Sequence, residues 1–302
     1  MAALFSVFNP TPEISGGRVA GVTAADNSAG FLDFPIVPDS RLVLMPVAKN
    51  TAAVPEISAK AVLIRDIGSG TAIYERNAAE KLPIASLTKL MTALVVIEQV
   101  PLEEEVEILA EDLNTAPFRL NFSPGERLTV RELLSAMLVS SANDAALALA
   151  RHTSGSRQNF VTAMNDKARV LGMVSTSFIN PVGFDHPNHY STAADQALLV
   201  EEFINHTALL EIVNMKSAEI TAEPSGRKLK IYTTNRLLLE RNNVIGLKTG
   251  FTAEAKGSLI VLAQKQTAGE MARYYSIILG SDDREQETRA LMDWIEDNFV
   301  WQ

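Results

Sequence analysis

The chain has 302 residues, 47% of them hydrophobic and 21% charged, which is the composition of a globular protein with a sizeable core. The 36 acidic and 27 basic side chains give a net charge of −9, which argues against a general nucleic-acid binder. Cysteine is absent, which excludes disulfides, thiolate metal sites and cysteine nucleophiles, and the longest apolar run, 145–150, is too short to cross a membrane.

The first 50 residues differ in composition from the rest of the chain. They contain four of the 16 glycines and five of the 13 prolines, which is typical of a linker. We therefore expect an N-terminal arm at 1–50 and a folded domain at 51–302. Met1–Phe8 is apolar but short and has no basic start, so it is either the remnant of a signal or anchor segment or an ordinary terminus.

Periodic patterns begin near Pro55 and predict two strands, 61–66 and 71–76, that a glycine-rich turn joins into a hairpin. Helices are predicted at 86–99, 129–138, 143–152, 157–171, 191–205 and 283–299. Further strands are predicted at 216–221, 228–233, 246–249, 257–265 and 273–280. The last two strands are apolar on both faces, so we expect them to be central in a sheet or covered by helices.

The order of these elements is strands, a helical middle, then strands and a last helix. This order predicts an α+β fold, in which N- and C-terminal strands meet in one antiparallel sheet and a helical subdomain is inserted between them. The acid-rich stretch at 103–112 is expected to be a solvated surface.

Ser86 and Lys89 stand at the predicted start of a helix, and both are candidates for nucleophilic chemistry. Without cysteine, the remaining nucleophiles are serine, threonine and lysine, each of which needs a nearby base. Positions i and i+3 share a helix face, so the Ser86 hydroxyl and the Lys89 amine can reach each other. Free N–H groups at a helix N-terminus can also stabilise an oxyanion. A single Ser-x-x-Lys pattern is weak, because one arises by chance in a chain of this length.

Ser141 and Asn143 lie between two predicted helices. A serine and an amide two residues apart in a tight turn can project into one cleft. Either side chain can equally cap the helix that follows, and the two interpretations are compatible.

Lys248, Thr249 and Gly250 fall at the end of a predicted strand. Such a strand can pair with an extended peptide, and Gly250 lets the peptide backbone come close. Taken alone, this tripeptide is also consistent with a purely structural role.

The three motifs occur in the order Ser-x-x-Lys, Ser-x-Asn and Lys-Thr-Gly, separated by 55 and 107 residues. This set is shared by penicillin-binding proteins and class A β-lactamases. The flanking sequence resembles that of D-alanyl-D-alanine carboxypeptidases, the low-molecular-mass penicillin-binding proteins of peptidase family S11. The resemblance extends from about 55 to 294 and is carried by the segments 83–92, 141–145, 160–172, 180–193 and 248–252.

The resemblance implies a β-lactamase/transpeptidase-like fold and a serine D-alanyl-D-alanine carboxypeptidase. Such an enzyme removes the terminal D-Ala from peptidoglycan stem pentapeptides through an acyl-enzyme. It implies an extracytoplasmic location, in the periplasm or at the outer face of the cytoplasmic membrane. β-Lactam antibiotics are then expected as covalent inhibitors, and neither a metal nor an organic cofactor is expected.

The resemblance also assigns chemical roles to the first two motifs. Ser86 is the expected nucleophile, and Lys89, as a neutral amine, is its expected base. Ser141 is expected to relay a proton to the leaving amine. The backbone N–H groups of Ser86 and Phe251 are expected to form the oxyanion hole.

Further residues are expected to bind the substrate. Asn143 is expected to orient the substrate amide, while Lys248 and Thr249 face its terminal carboxylate. Arg284 lies ten residues before Trp294, as a carboxylate-binding arginine does in the family.

The chain departs from the family pattern in two respects. Ala142 stands where the carboxypeptidases usually carry glycine. The sequence ends 54 residues after Lys248, whereas many relatives continue into a β-rich domain and a C-terminal amphipathic anchor. Membrane attachment is therefore expected only through a missing N-terminal segment.

Three alternative functions share this machinery. A D,D-endopeptidase that cuts peptide crosslinks uses the same residues, and the sequence does not exclude this alternative. A class A β-lactamase also needs a glutamate in a Glu-x-x-Leu-Asn segment, and 180–193 contains no glutamate. A non-catalytic penicillin-binding sensor is expected to lose a serine or lysine from the set, and all are present.

Two histidines near an aspartate, at 185–189, could suggest a metal site. The proline between them spoils the same-face geometry of a helical histidine pair, so an ordered loop is expected instead.

Overall fold

A five-stranded antiparallel sheet organises the computed structural model, which describes residues 43–50, 52–115, 117–267 and 269–302. Its strands are β2 (Ala61–Asp66), β3 (Ala72–Arg76), β8 (Val244–Thr252), β9 (Lys256–Gln266) and β10 (Met271–Ser281). Short pairs are formed by β1 (Pro46–Ala48) with β11 (Phe299–Trp301), β4 (Glu105–Glu107) with β5 (Arg127–Thr129), and β6 (Ser217–Ala222) with β7 (Arg227–Tyr232).

Eight helices occur in the described residues. They are α1 (Thr88–Gln99), α2 (Val130–Val139), α3 (Asn143–Ser154), α4 (Arg157–Val170), α5 (Ala193–Phe203), α6 (Thr207–Val213), α7 (Arg236–Glu240) and α8 (Arg284–Asn298). A 3₁₀ turn at Ala85–Leu87 leads into α1. In this part of the chain, no helix is both long and apolar enough to traverse a lipid bilayer.

The large sheet has the strand order β3-β2-β10-β9-β8. The N-terminal hairpin of β2 and β3 is therefore joined to the C-terminal strands through the pairing of β2 with β10. Alternate residues of β9 enter two different cores. Ile260 and Leu262 pack with the helical part, while Leu259 and Val261 pack with α8 on the other face. The expectation that this apolar strand is covered on both faces is therefore confirmed.

The helical subdomain lies between β3 and β8 in the chain, and it carries the middle motif. The predicted capping box begins α2, where the Thr129 hydroxyl accepts from the Glu132 N–H and the Glu132 carboxylate accepts from Thr129. α2 packs against α3, and α1 packs against α3, α4 and α5. The predicted fold class, an antiparallel sheet with an inserted helical subdomain, is confirmed.

Several predicted boundaries need correction. β8 extends over 244–252, well beyond the predicted 246–249, and helices α6 and α7 and strands β1, β4, β5 and β11 were not predicted. These elements are too short to show a periodic pattern. The acid-rich stretch is not uniformly solvated, because Asp112 is fully buried and accepts from the Arg151 guanidinium at 2.9 Å.

Residues 1–42 of the expected arm at 1–50 lie outside the described residues. Within its remaining part, Pro46–Ala48 forms β1 and pairs with β11. β11 brings Trp301 into the core, where the indole Nε1 donates to Asp66 at 2.7 Å and the ring stacks on Tyr274. The last residues of the expected linker therefore form part of the folded unit.

This pairing gives a matched truncation test. A chain that begins at Ala52 is expected to be less stable than one that begins at Val43, by about 1–3 kcal/mol, because β11 loses its partner strand. Both chains should retain acylation by penicillin within a few-fold. Urea unfolding measures the difference, and equal unfolding free energies would contradict a stabilising role for β1.

Candidate active site

The turn before α1 brings Ser86 and Lys89 together. The Lys89 amine lies 2.9 Å from Ser86 Oγ, as the i, i+3 spacing predicted. Ser86 is half-buried and Lys89 is fully buried. Ala85, which precedes the serine, has a φ of 47°. A non-glycine residue in this conformation is strained, and such strain is common where a side chain must be held at an active site.

Lys89 has two further partners, which come from different parts of the chain. Its amine lies 2.7 Å from Asn143 Oδ1 at the start of α3, and 2.8 Å from the Val182 carbonyl. The second motif therefore meets the first directly. Sequence reasoning did not find Val182, although it lies in a segment that carries the family resemblance.

Ser141 and Lys248 form the opposite side of the site. The Lys248 amine lies 3.0 Å from Ser141 Oγ, and also 3.0 Å from the Thr249 carbonyl. Ser141 has a φ of 62°, so the turn between α2 and α3 holds it in a left-handed conformation. The three motifs are thus brought together around two buried lysines.

Burial sets the charge of both lysines. It lowers the pKa of Lys89 well below its usual range, and the nearby Lys248 lowers it further. Burial also lowers the pKa of Lys248 to about 7, with Arg284 as a second cause. Lys89 can therefore hold a lone pair at neutral pH, and Lys248 gives up its proton more readily than an ordinary lysine.

β8 lies directly against the turn that carries Ser86. A Cβ atom on Gly250 would come within 3.0 Å of the Ile84 carbonyl oxygen and 3.2 Å of the Ser86 nitrogen. Gly250 therefore permits a close approach between β8 and the serine. Phe251, the next residue, is 59% exposed at the rim.

Arg284 lies at the start of α8, against the same strand. Its Nη1 donates to the Gly250 carbonyl at 2.6 Å, and its Nε donates to Glu285 at 2.8 Å. Thr249 is buried beside Lys248. Of the residues expected to bind the substrate, Lys248 and Thr249 thus lie on β8 and Arg284 lies against it, whereas Asn143 lies at the start of α3.

A cavity of about 450 Å³ opens in front of Ser86. Its lining includes Asn143, Gly183 and three phenylalanines, Phe118, Phe184 and Phe251. The cavity is thus open, with apolar walls and a nucleophile at its base, which suits an extended peptide.

Pro117 and Phe118, at the start of the segment 117–122, line one side of this cavity, and the sequence did not predict them as site residues. Asn143 holds this segment through two bonds of 2.7 Å, from its side chain to the Pro117 carbonyl and from its backbone N–H to the Phe118 carbonyl. The buried Asp144 carboxylate accepts from the Leu120 N–H at 2.9 Å. Phe118, with a φ of 59°, is held in a conformation that a bulky side chain rarely adopts.

His189 stabilises the turn that carries Ser86, through a contact with Thr88. Its Nδ1 accepts from the Ile179 N–H at 3.1 Å, so the proton lies on Nε2, which donates to the Thr88 hydroxyl at 2.8 Å. Thr88 in turn donates to the Ala85 carbonyl at 2.8 Å. Both ring nitrogens are therefore used by the protein, and the expectation of an ordered loop is consistent with this arrangement.

This buried imidazole predicts an acid-sensitive stability. Burial, and secondly His186, lowers the pKa of His189 from 6.5 to about 4. The unfolded chain binds this proton more tightly, so stability present above pH 6.5 is lost as the pH falls towards 4, by up to about 3 kcal/mol. Urea unfolding of the wild type and His189→Gln between pH 7 and pH 4 measures it. The variant should lose less stability than the wild type, with His206→Gln as the control because it leaves the contacts of His189 intact, and parallel curves would contradict the prediction.

One group of potential metal ligands occurs among the described residues, away from the motifs. Glu98, Glu202 and His206 lie close together. The Lys167 amine is bonded to both carboxylates, at 2.5 and 2.9 Å, so an ammonium group already offsets part of their negative charge.

Comparison with known proteins identifies the fold and the family of this chain. The Streptomyces K15 DD-transpeptidase has a similar structure, with a TM-score of 0.76 and 26% identity over 82% of this chain and 100% of that chain. The fold is thus that of the DD-transpeptidase class. Residues 48–282 match the D-alanyl-D-alanine carboxypeptidase family, peptidase family S11, and the chain belongs to that family.

Curated relatives carry two different names. D-alanyl-D-alanine carboxypeptidase DacC of Escherichia coli is 36% identical over 82% of this chain, and DacF of Bacillus subtilis is 32% identical over 80%. This chain spans 63% of the length of each. A D-alanyl-D-alanine endopeptidase of Escherichia coli is 30% identical, over 89% of this chain and 87% of that protein.

Proposed function

We propose that the protein is a serine-type D-alanyl-D-alanine carboxypeptidase that acts on peptidoglycan stem peptides. The observation that carries the proposal is the 2.9 Å contact between Ser86 Oγ and the buried Lys89 amine. A lysine at its ordinary pKa is charged at neutral pH and cannot accept a proton. Burial and Lys248 favour the neutral amine here, which provides the base that a serine nucleophile requires.

The contacts of Lys89 fit a neutral amine. A neutral amine has two N–H donors and one lone pair. The two acceptors that cannot donate, Asn143 Oδ1 and the Val182 carbonyl, use the two N–H groups. The lone pair is then directed at the Ser86 hydroxyl, which gives up its proton as Oγ attacks the carbonyl carbon of the penultimate D-Ala.

The oxyanion that forms needs donors beside Ser86. The backbone N–H groups of Ser86 and Phe251 take this role in the proposal, because Gly250 allows β8 to approach the serine turn closely. Asn143 orients the substrate amide through its remaining hydrogen-bonding capacity.

The terminal carboxylate of the substrate binds at the other end of the site. Lys248 supplies the positive charge, and the anion itself favours the protonated form of this amine. Thr249 donates a hydrogen bond, and Arg284 adds a second charge beside Gly250. Each of these groups is positioned by β8 or by the start of α8.

The leaving D-Ala amine must gain a proton when the C–N bond breaks. Protonated Lys248 supplies this proton and Ser141 relays it, since the Ser141 hydroxyl lies 3.0 Å from the Lys248 amine. Water then hydrolyses the acyl-enzyme, which releases the shortened peptide and restores the Ser86 hydroxyl. A β-lactam acylates Ser86 in the same way and leaves slowly, so β-lactam antibiotics are covalent inhibitors. The proposed location, like that of the substrate, is extracytoplasmic.

A D,D-endopeptidase is the second candidate. This chain matches 87% of the length of the Escherichia coli endopeptidase, but 63% of the length of each of the two carboxypeptidases. Cleavage of a crosslink requires the same acyl-enzyme and differs only in the leaving amine.

Product analysis by mass spectrometry distinguishes the two activities. Pentapeptide monomer and crosslinked dimer are incubated side by side with the enzyme. A carboxypeptidase releases D-Ala from the monomer faster than it splits the dimer, and an endopeptidase does the reverse. If neither product forms, and penicillin does not acylate the protein, the proposed function is wrong.

A further inference from the structure

Thr234 lies at the junction between the helical subdomain and β8. It follows β7 and precedes α7, and its backbone N–H donates to the Val139 carbonyl at 3.1 Å, at the end of α2. Its hydroxyl lies 2.6 Å from the hydroxyl of Thr249, which is in the third motif. Nothing in the sequence distinguishes Thr234 from the other threonines.

These contacts connect Thr234 to both sides of the site. Val139 is two residues before Ser141, and Thr249 is next to Lys248. Ser141 and Lys248 are themselves joined by the 3.0 Å bond. A single half-buried threonine therefore links the helical wall of the site to the strand that receives the substrate.

The two hydroxyls share one hydrogen bond, and its direction decides what Thr249 offers to a ligand. Each hydroxyl has one hydrogen and two lone pairs. If Thr234 donates to Thr249, the Thr249 hydrogen stays free for a ligand. If Thr249 donates, it offers only lone pairs, which an ionised carboxylate cannot use. A donor chain from Thr234 through Thr249 is also strengthened cooperatively by a terminal anion.

We propose that Thr234 is a positioning residue that directs the Thr249 hydroxyl towards the C-terminal carboxylate of the substrate. This inference rests on the proposed function, in which Thr249 binds that carboxylate. Thr234 thereby contributes to the selection of peptides that end in a free acid over those that end in a neutral group.

The test uses the isosteric variant Thr234→Val, with Thr234→Ser as the variant that restores the hydroxyl. Each is assayed on a peptide that ends in D-Ala-D-Ala and on the same peptide with a C-terminal amide. Thr234→Val is expected to lower kcat/KM for the acid by about five- to tenfold, mainly through KM, and to change kcat/KM for the amide less than twofold. Thr234→Ser should return the acid-to-amide ratio to that of the wild type.

Thr233→Val is the matched control. The Thr233 hydroxyl accepts from the Asn235 N–H at 3.2 Å, so this change perturbs the same segment without touching Thr249. It should leave the acid-to-amide ratio unchanged. An unchanged ratio in Thr234→Val, or an equal loss on both substrates, would overturn the proposal.

The proposed function can fail separately from this inference. If the wild-type protein releases no D-Ala, the carboxypeptidase assignment fails. The role of Thr234 is then measured by acylation with benzylpenicillin and with its methyl ester. The same selective loss for the free acid is expected in Thr234→Val, and equal rates for wild type and variant with benzylpenicillin would overturn it.

Discussion

Ser86→Ala is expected to abolish covalent labelling by a fluorescent penicillin and to lower D-Ala release on the order of 10⁶-fold, as loss of the nucleophile does in other serine hydrolases. The acyl-enzyme cannot form without the oxygen that lies 2.9 Å from Lys89. Gel fluorescence measures labelling, and amino-acid analysis measures release.

Ser140→Ala is the control for this experiment. Its hydroxyl lies near the site but donates to the Ala136 carbonyl at 2.8 Å, so its loss should leave labelling intact. Undiminished labelling of Ser86→Ala would show that another residue is the nucleophile.

Lys89→Arg is expected to lower the rate of acylation by a β-lactam by about 10²–10⁴-fold, which is the usual contribution of a general base. A guanidinium keeps its proton at every accessible pH, so it cannot accept one from Ser86. In the wild type, the lowered pKa of Lys89 places the ascending limb of the acylation rate well below pH 10. Stopped-flow acylation across the pH range measures both effects.

Lys248→Arg is the matched comparison, because it also exchanges one buried lysine of the pair for arginine. We expect Lys248→Arg to lower the acylation rate less than Lys89→Arg does, because the role of Lys248 mainly requires positive charge. A wild-type acylation rate in Lys89→Arg would show that Lys89 only supports the site electrostatically. Ser141 and Lys248 would then be the next pair to test as the base.

The contact between Ser86 and Lys89 was predictable because helix geometry fixes the positions of residues three apart. The order of elements predicted the fold class, in which N- and C-terminal strands meet in one sheet. It did not predict that β2 in particular pairs with β10. The loop at 117–122 was not predictable, since no periodic pattern marks it and its position depends on bonds from Asn143 and Asp144. The same holds for β1, whose partner lies at the other end of the chain.

The sequence by itself determined where the longer helices and most long strands lie, and which three motifs carry the chemistry. Both depend on local patterns, namely apolar periodicity and the spacing of reactive side chains. Only the tertiary structure decided that Lys89 is buried between Asn143 and Val182, and that Thr234 reaches Thr249. Burial, and with it the pKa of a lysine, depends on residues that are distant in the chain and leave no local pattern in the sequence.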